Sequence, residues 1–232
     1  LGLMIGAGCS VVVSIHLANA KPKVARLNVT QAIVAALTVV ALIVAAMALF
    51  LEPVSRMLGA SETLLPHVID YTKWLLPGFV FEMFGLIGLF IIRLDGAPRY
   101  AMWCNIVPAV LNALLDYIFV FPCDMGVMGA GVATSLCMSL GGIMALCYLV
   151  MPSHKLHLEL PKLSLKSLAL SLRNVGYQCW IGISSLLGEL SLAILIFIAN
   201  IVFMRYLGDD GVGAFGISCS YSPFFFMIGN SI

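Results

Sequence analysis

The sequence predicts an all-α membrane protein whose helices cross the bilayer repeatedly, and three observations predict it. Hydrophobic residues make up 62% of the chain and charged residues only 10%, with a mean hydropathy of +1.08, whereas a soluble domain carries about 25% charged residues. Apolar stretches lie almost end to end along the chain, and a transmembrane helix needs about 20 such residues. None of them alternates apolar and polar residues as transmembrane strands do. Leu1 begins inside an apolar run and Ile232 ends one, so the chain is expected to be a piece of a longer protein.

Taken in order, Leu1 to Ala18 closes one helix against the basic, polar segment Asn19 to Asn28. The next span is predicted over Val29 to Leu51, stopped by Glu52-Pro53, and a short loop through Gly59, Ala60 and Ser61 leads to a third over Leu65 to Ile92. Pro77 inside that span predicts a kink. After the loop Arg93 to Arg99, a span over Tyr100 to Phe121 carries Pro108 and is broken by Pro122. A Gly/Ala/Ser-rich span follows over Val127 to Met151, whose small residues let helix backbones approach closely. The longest polar interval, residues 152–173, reads as a linker between two parts, 1–151 and 174–232. The second part begins with a span over Asn174 to Tyr206, a tight turn at Gly208-Asp209-Asp210-Gly211 and a last apolar run.

Nine of the 12 Lys and Arg residues flank Asn19 to Asn28, Arg93 to Arg99 and residues 152–173. The positive-inside rule therefore puts these loops, the linker included, in the cytoplasm. A net charge of +1 without a basic block gives no sign of a nucleic-acid partner. The seven cysteines are scattered without metal or redox spacing and read as packing residues. With no H-E-x-x-H, no complete nucleophile elbow and no Walker A sequence, neither an enzyme nor an ATP motor is expected, and no cofactor.

An ionisable side chain in hydrocarbon costs about 2.5 to 3.5 kcal/mol even on lenient scales, so each one needs a reason. Three carboxylates lie well inside predicted spans: Glu82, Asp116 and Glu189. Asn112 sits one turn before Asp116 on the same face, and the pair offers converging oxygens for a cation or proton. Alternatively Asp116, roughly 8 Å from its helix end, reaches the interface and only caps or pairs. Glu189 falls near the bilayer middle, where burial favours its protonated form and where Ser184, Ser185, Ser191 and Asn200 are placed to hydrate it; a structural bond between helices is the alternative. Glu82, just after Pro77, is open to either reading. Aromatic and Met side chains around Met83 and Tyr221 can build an adaptable apolar pocket or simply face lipid.

Several segments resemble the multidrug and toxic compound extrusion (MATE) family. R-L-D-G-A-P-R-Y-A-M (Arg93 to Met102), N-A-L-L-D-Y-I-F-V-F (Asn112 to Phe121) and G-V-M-G-A-G-V-A-T (Gly126 to Thr134) are similar in order and spacing to its fourth to sixth helices. G-A-G-C-S-V-V-V-S-I-H-L-A-N-A-K (Gly6 to Lys21) is similar to its second helix and the loop after it, with the usual loop Gly replaced near Ala18. S-S-L-L-G-E-L-S with Asn200, and G-V-G-A-F-G-I (Gly211 to Ile217), resemble its seventh and eighth helices.

The resemblance implies a transporter of two six-helix lobes, of which this chain holds about helices two to eight. The amino-terminal lobe would be 1–151, and the carboxy-terminal lobe would start at 174. It implies a multi-pass protein of the inner (plasma) membrane, expected to be a monomer, exporting small-molecule drugs or toxic metabolites in exchange for Na⁺ or H⁺. In members with an amino-terminal cation site, an Asn and Asp of helix five and a Thr of helix six act with an Asp of helix one. The first three fall on Asn112, Asp116 and Thr134, and Glu189 matches a helix-seven acid of some branches. A flippase for a lipid-linked sugar or peptidoglycan precursor is the alternative. It would call for intramembrane Arg or Lys facing a pyrophosphate, whereas the cations here sit at span ends.

Overall fold

A computed structural model describes residues 1–58, 61–152, 155–159 and 165–230, with side chains described outside 165–169, 209–210 and 220–230. Its elements are α1 (Gly2–Ala18), α2 (Pro22–Leu49), α3 (Leu51–Met57), α4 (Leu65–Leu94), α5 (Pro98–Val120), α6 (Gly126–Val150) and α7 (Leu165–Asn230). Helix α7 is broken at Gly208, whose φ of 68° and ψ of −157° suit glycine alone. Among the described residues, five helical segments are long and apolar enough to cross a membrane: α2, α4, α5, α6 and the Leu170–Gly208 part of α7.

Helix α4 is the hub, touching α1, α2, α3, α5 and α6. The fully buried Ile87, Ile91 and Ile92 of α4 meet Leu149 of α6, Val29 of α2 and Val13 of α1. Large apolar side chains such as Leu42, Leu49, Trp103 and Trp180 lie on the outside. An apolar exterior around an apolar core is the arrangement of a bundle dissolved in lipid, where burial gives helices no advantage and close packing holds them together.

Three boundaries differ from expectation. Helix α2 starts at Pro22, not Val29, because Pro occupies the first helical position, where its fixed φ fits and no N–H is missed. Glu52-Pro53 does not end structure. Pro53 is the third residue of α3, within the first turn, whose N–H groups lack helical partners anyway. The Gly59-Ala60 part of the expected loop lies outside the described residues. Helix α7 starts at Leu165, which takes residues 165–173 out of the linker and into the helix.

The described part of the linker is a strap and not a free loop. Leu156 is fully buried, and its N–H donates to Asp95 Oδ1 at 3.0 Å. Leu158 N–H donates to the Leu149 carbonyl at 2.7 Å, and Glu159 N–H to Thr30 Oγ1 at 3.0 Å. Arg26 Nε donates to the Lys155 carbonyl at 2.8 Å. Tyr148 Oη donates to the other Asp95 oxygen at 2.8 Å, so one carboxylate ties α4, α6 and the strap together.

Helix α7 packs on α1 and α2 alone among the described elements. Gln178, fully buried, donates to Asn28 Oδ1 at 3.1 Å, and Asn174 Nδ2 donates to Gln31 Oε1 at 3.2 Å. Gly8 lies directly under the Gln178 carbonyl and Gly182 under that of Met4, so α1 and α7 cross backbone to backbone.

Candidate functional site

Between α4, α5 and α6 lies a cavity of about 240 Å³. At 1.5 Å per residue, Glu82 stands about 18 Å from the strap end of α4, and Asn112 about 21 Å from the same end of α5. Both therefore sit deep in the bundle. Asn105, Asn112 and Pro108 reach the cavity from α5, Thr134 and Cys137 from α6, and Glu82 from α4.

The polar groups of the wall are oriented by their own hydrogen bonds. Thr134 Oγ1 donates to the Ala130 carbonyl at 2.9 Å and accepts from Asn112 Nδ2 at 3.4 Å. Asn105 Nδ2 donates to the Ala101 carbonyl at 3.1 Å. In each amide an N–H is engaged with protein, which leaves the carboxamide oxygen as an acceptor. Among the described residues that line the cavity, Glu82 alone is charged.

The helix-five pair and Thr134 are thus brought together, with a difference in detail. Asp116 is one turn beyond Asn112 but does not line the cavity, and its Oδ1 is buried without a hydrogen-bond partner.

The other expected residues are scattered. Met83, next to Glu82, points the opposite way and packs its sulfur against Gly2 of α1. Glu189 lies exposed on α7, not buried as expected; the contacts of α7 with α1 and α2 at Asn174, Gln178 and Gly182 come about two turns or more before it. Ser191 is turned back onto the Leu187 carbonyl at 2.9 Å and does not hydrate Glu189. Asn200 opens with Arg205 onto a second, mainly apolar space of about 440 Å³ between α7 and α2, α3 and α4. Tyr221 lies outside the residues whose side chains are described.

Sequence reading missed Asn105. The signal was present, since Asn105, Pro108, Asn112 and Asp116 follow the 3–4 residue spacing of one helix face.

Apolar helices long enough to span a bilayer, with a partly polar cavity between α4, α5 and α6, define a polytopic membrane protein, and the comparisons give its family. The MatE family model matches residues 1–118, half of the chain, and the chain belongs to that family of transporters. It is 26% identical over 220 residues to the multidrug export protein MepA of Staphylococcus saprophyticus, covering 94% of this chain and 47% of that protein. It is 25% identical over 138 residues to an FAD transporter of Shewanella oneidensis, covering 58% of this chain and 30% of that one. Its fold matches an inward-facing multidrug resistance MATE family transporter of the MOP superfamily with a TM-score of 0.80 and 26% identity, over 92% of this chain and 48% of that one. The chain spans about half the length or less of the curated relatives it matches.

Proposed function

We propose that this chain is the larger part of the amino-terminal lobe, with the start of the second lobe, of a secondary-active exporter. In this reading the exporter expels organic cations or amphipathic compounds from the cytoplasm in exchange for Na⁺ or H⁺. The observation that carries it is the buried, partnerless Asp116 oxygen one turn from the Asn112–Thr134 pair. A buried carboxylate oxygen with no donor is costly unless something positively charged visits it. The 240 Å³ cavity is below the roughly 300–1,000 Å³ of drug sites, so the coupling ion and the drug bind in different places. Glu189, exposed on α7, is available to pair with a cationic drug.

The related MepA supports the drug reading. The related FAD transporter, together with Arg205 as the single charged residue lining the 440 Å³ space among the described residues, supports a second reading in which the exported molecule is an amphipathic anion.

The test is efflux by the full-length protein in proteoliposomes, with imposed Na⁺ or proton gradients and with cationic and anionic dyes. Gradient-dependent loss of cationic dye is expected, with Glu189→Gln losing it at normal expression. Efflux of anionic dye alone would select the second reading, and efflux indifferent to both gradients would overturn ion coupling.

A further inference from the structure

Towards the end of α7 away from the strap, the helix stands off from its neighbours. Among the described elements α7 packs on α1 and α2 alone. The 440 Å³ space parts its Asn200, Met204 and Arg205 from Val54 of α3, Val68 of α4 and Met47 near the end of α2. Met47 comes two residues before the end of α2, Leu64 directly before the start of α4, and Arg205 three residues before the break at Gly208. At 1.5 Å per residue each lies within about 5 Å of its helix end, so the space opens at the membrane surface opposite the strap. Phe50 and Tyr206, both exposed, stand at the same helix ends, the level at which aromatic side chains meet lipid headgroups.

The wall carries charge of one sign. Arg205 is its single charged residue among the described ones, and neither Arg205 nor Asn200 has a hydrogen-bond or ion-pair partner among them. Arg56 of α3, at the same end of the bundle, is bound by Glu52 and Glu62, and neither acid lines the space. Arg205 is thus a cation left unspent beside an apolar hollow.

A gap between helices that opens to the bilayer does not stay empty, because an apolar wall facing nothing forfeits its dispersion contacts. Hydrocarbon fills it, and the guanidinium at its mouth selects the headgroup that the hydrocarbon carries. We propose that this space seats one anionic phospholipid of the leaflet opposite the strap, with its phosphate on Arg205 and an acyl chain against Met47, Val54, Val68 and Met204. The Asn200 amide, about 12 Å from the Gly208 break, donates to an ester oxygen below the headgroup. A zwitterionic lipid also carries a phosphate, but its ammonium finds no carboxylate on this wall, whereas a net negative headgroup on a guanidinium leaves no charge unpaired. The lipid joins α7 to α3 and α4, which the protein alone leaves apart. The inference goes beyond both export readings, since it makes Arg205 a headgroup ligand and not a contact of the exported molecule.

The test is native mass spectrometry of the purified full-length protein, stripped of lipid in detergent and titrated with phosphatidylglycerol or phosphatidylcholine of equal chain length. One tightly retained phosphatidylglycerol per protein is expected, bound at least about tenfold more tightly than phosphatidylcholine. Arg205→Gln is expected to bring phosphatidylglycerol down to the phosphatidylcholine level, and Arg205→Lys to keep part of the preference. Val54→Trp, which fills the space, is expected to weaken both lipids. Equal retention of the two lipids by the parent, or unchanged phosphatidylglycerol retention in Arg205→Gln, would overturn the proposal. Displacement of the lipid by an anionic dye would overturn it in favour of the second export reading. Because binding is read without transport, a protein that retains the lipid through Arg205 but drives no efflux would defeat the exporter reading and leave this site standing.

Discussion

Gly182→Ala should separate α7 from the rest of the chain. A Cβ at Gly182 would lie 1.9 Å from the Met4 carbonyl oxygen, and ordinary contact starts at 3.4 Å. The obstacle is backbone, which no rotamer change moves aside, so the helices have to part by about 1.5 Å. That movement carries the Gln178–Asn28 bond from 3.1 Å out of hydrogen-bonding range. Overpacking costs about 1–3 kcal/mol, and a buried amide left unsatisfied adds about 1–3 kcal/mol. Gly188 on the same helix has nothing within 4 Å of a Cβ, and Gly188→Ala should instead gain about 0.5–1 kcal/mol from helix propensity. Melting of the two full-length variants in detergent, followed by tryptophan fluorescence, should show Gly182→Ala several degrees below the parent and Gly188→Ala at or above it. Coincident melting of the two variants would refute the backbone-to-backbone crossing.

Asp95→Ala should release both the strap and Tyr148, at about 3–6 kcal/mol for two hydrogen bonds to a carboxylate, while Tyr148→Phe should cost less than half of that; melting of the full-length variants measures both. Ala20 holds a left-handed φ of 55° in the turn after α1, so Ala20→Gly should stabilise by about 1 kcal/mol, read as a higher melting temperature. Lys155→Cys on a cysteine-free background should react with a membrane-impermeant maleimide in inverted vesicles and not in right-side-out ones, and the opposite pattern would reverse the orientation.

The fold class and the spans were legible because composition and run length are properties of the chain alone. The boundaries were less so. Pro53 was read as a breaker and Pro22 was left in the polar segment before its helix, although Pro in a first turn starts a helix as readily as it stops one. The strap was hidden because Lys155, Leu156 and Glu159 look like any polar linker, and only the fold brings Asp95, Thr30 and Arg26 to them. The Asn112–Asp116 pair was visible from spacing on one helix. Its link to Thr134 came from the family resemblance, and the fold sets that bond at 3.4 Å. Glu82 remained undecided in sequence because one residue of rotation separates it from Met83, and that rotation is set by which neighbours α4 meets. Glu189 was expected to be buried from its central place in a span, but burial depends on what packs against α7, and the contacts with α1 and α2 at Asn174, Gln178 and Gly182 lie away from it.

The central claim is that an ion and an exported compound exchange through one protein, with the ion held in the cavity beside Asp116. Exchange is reciprocal, so a substrate gradient must drive the ion just as the ion drives the substrate. In proteoliposomes of the full-length protein with no ion gradient imposed, a gradient of cationic dye should drive opposing movement of radioactive Na⁺ or of protons. Asp116→Asn should abolish that movement at unchanged expression and melting temperature. Dye-driven ion flux of wild-type size in Asp116→Asn would contradict the account.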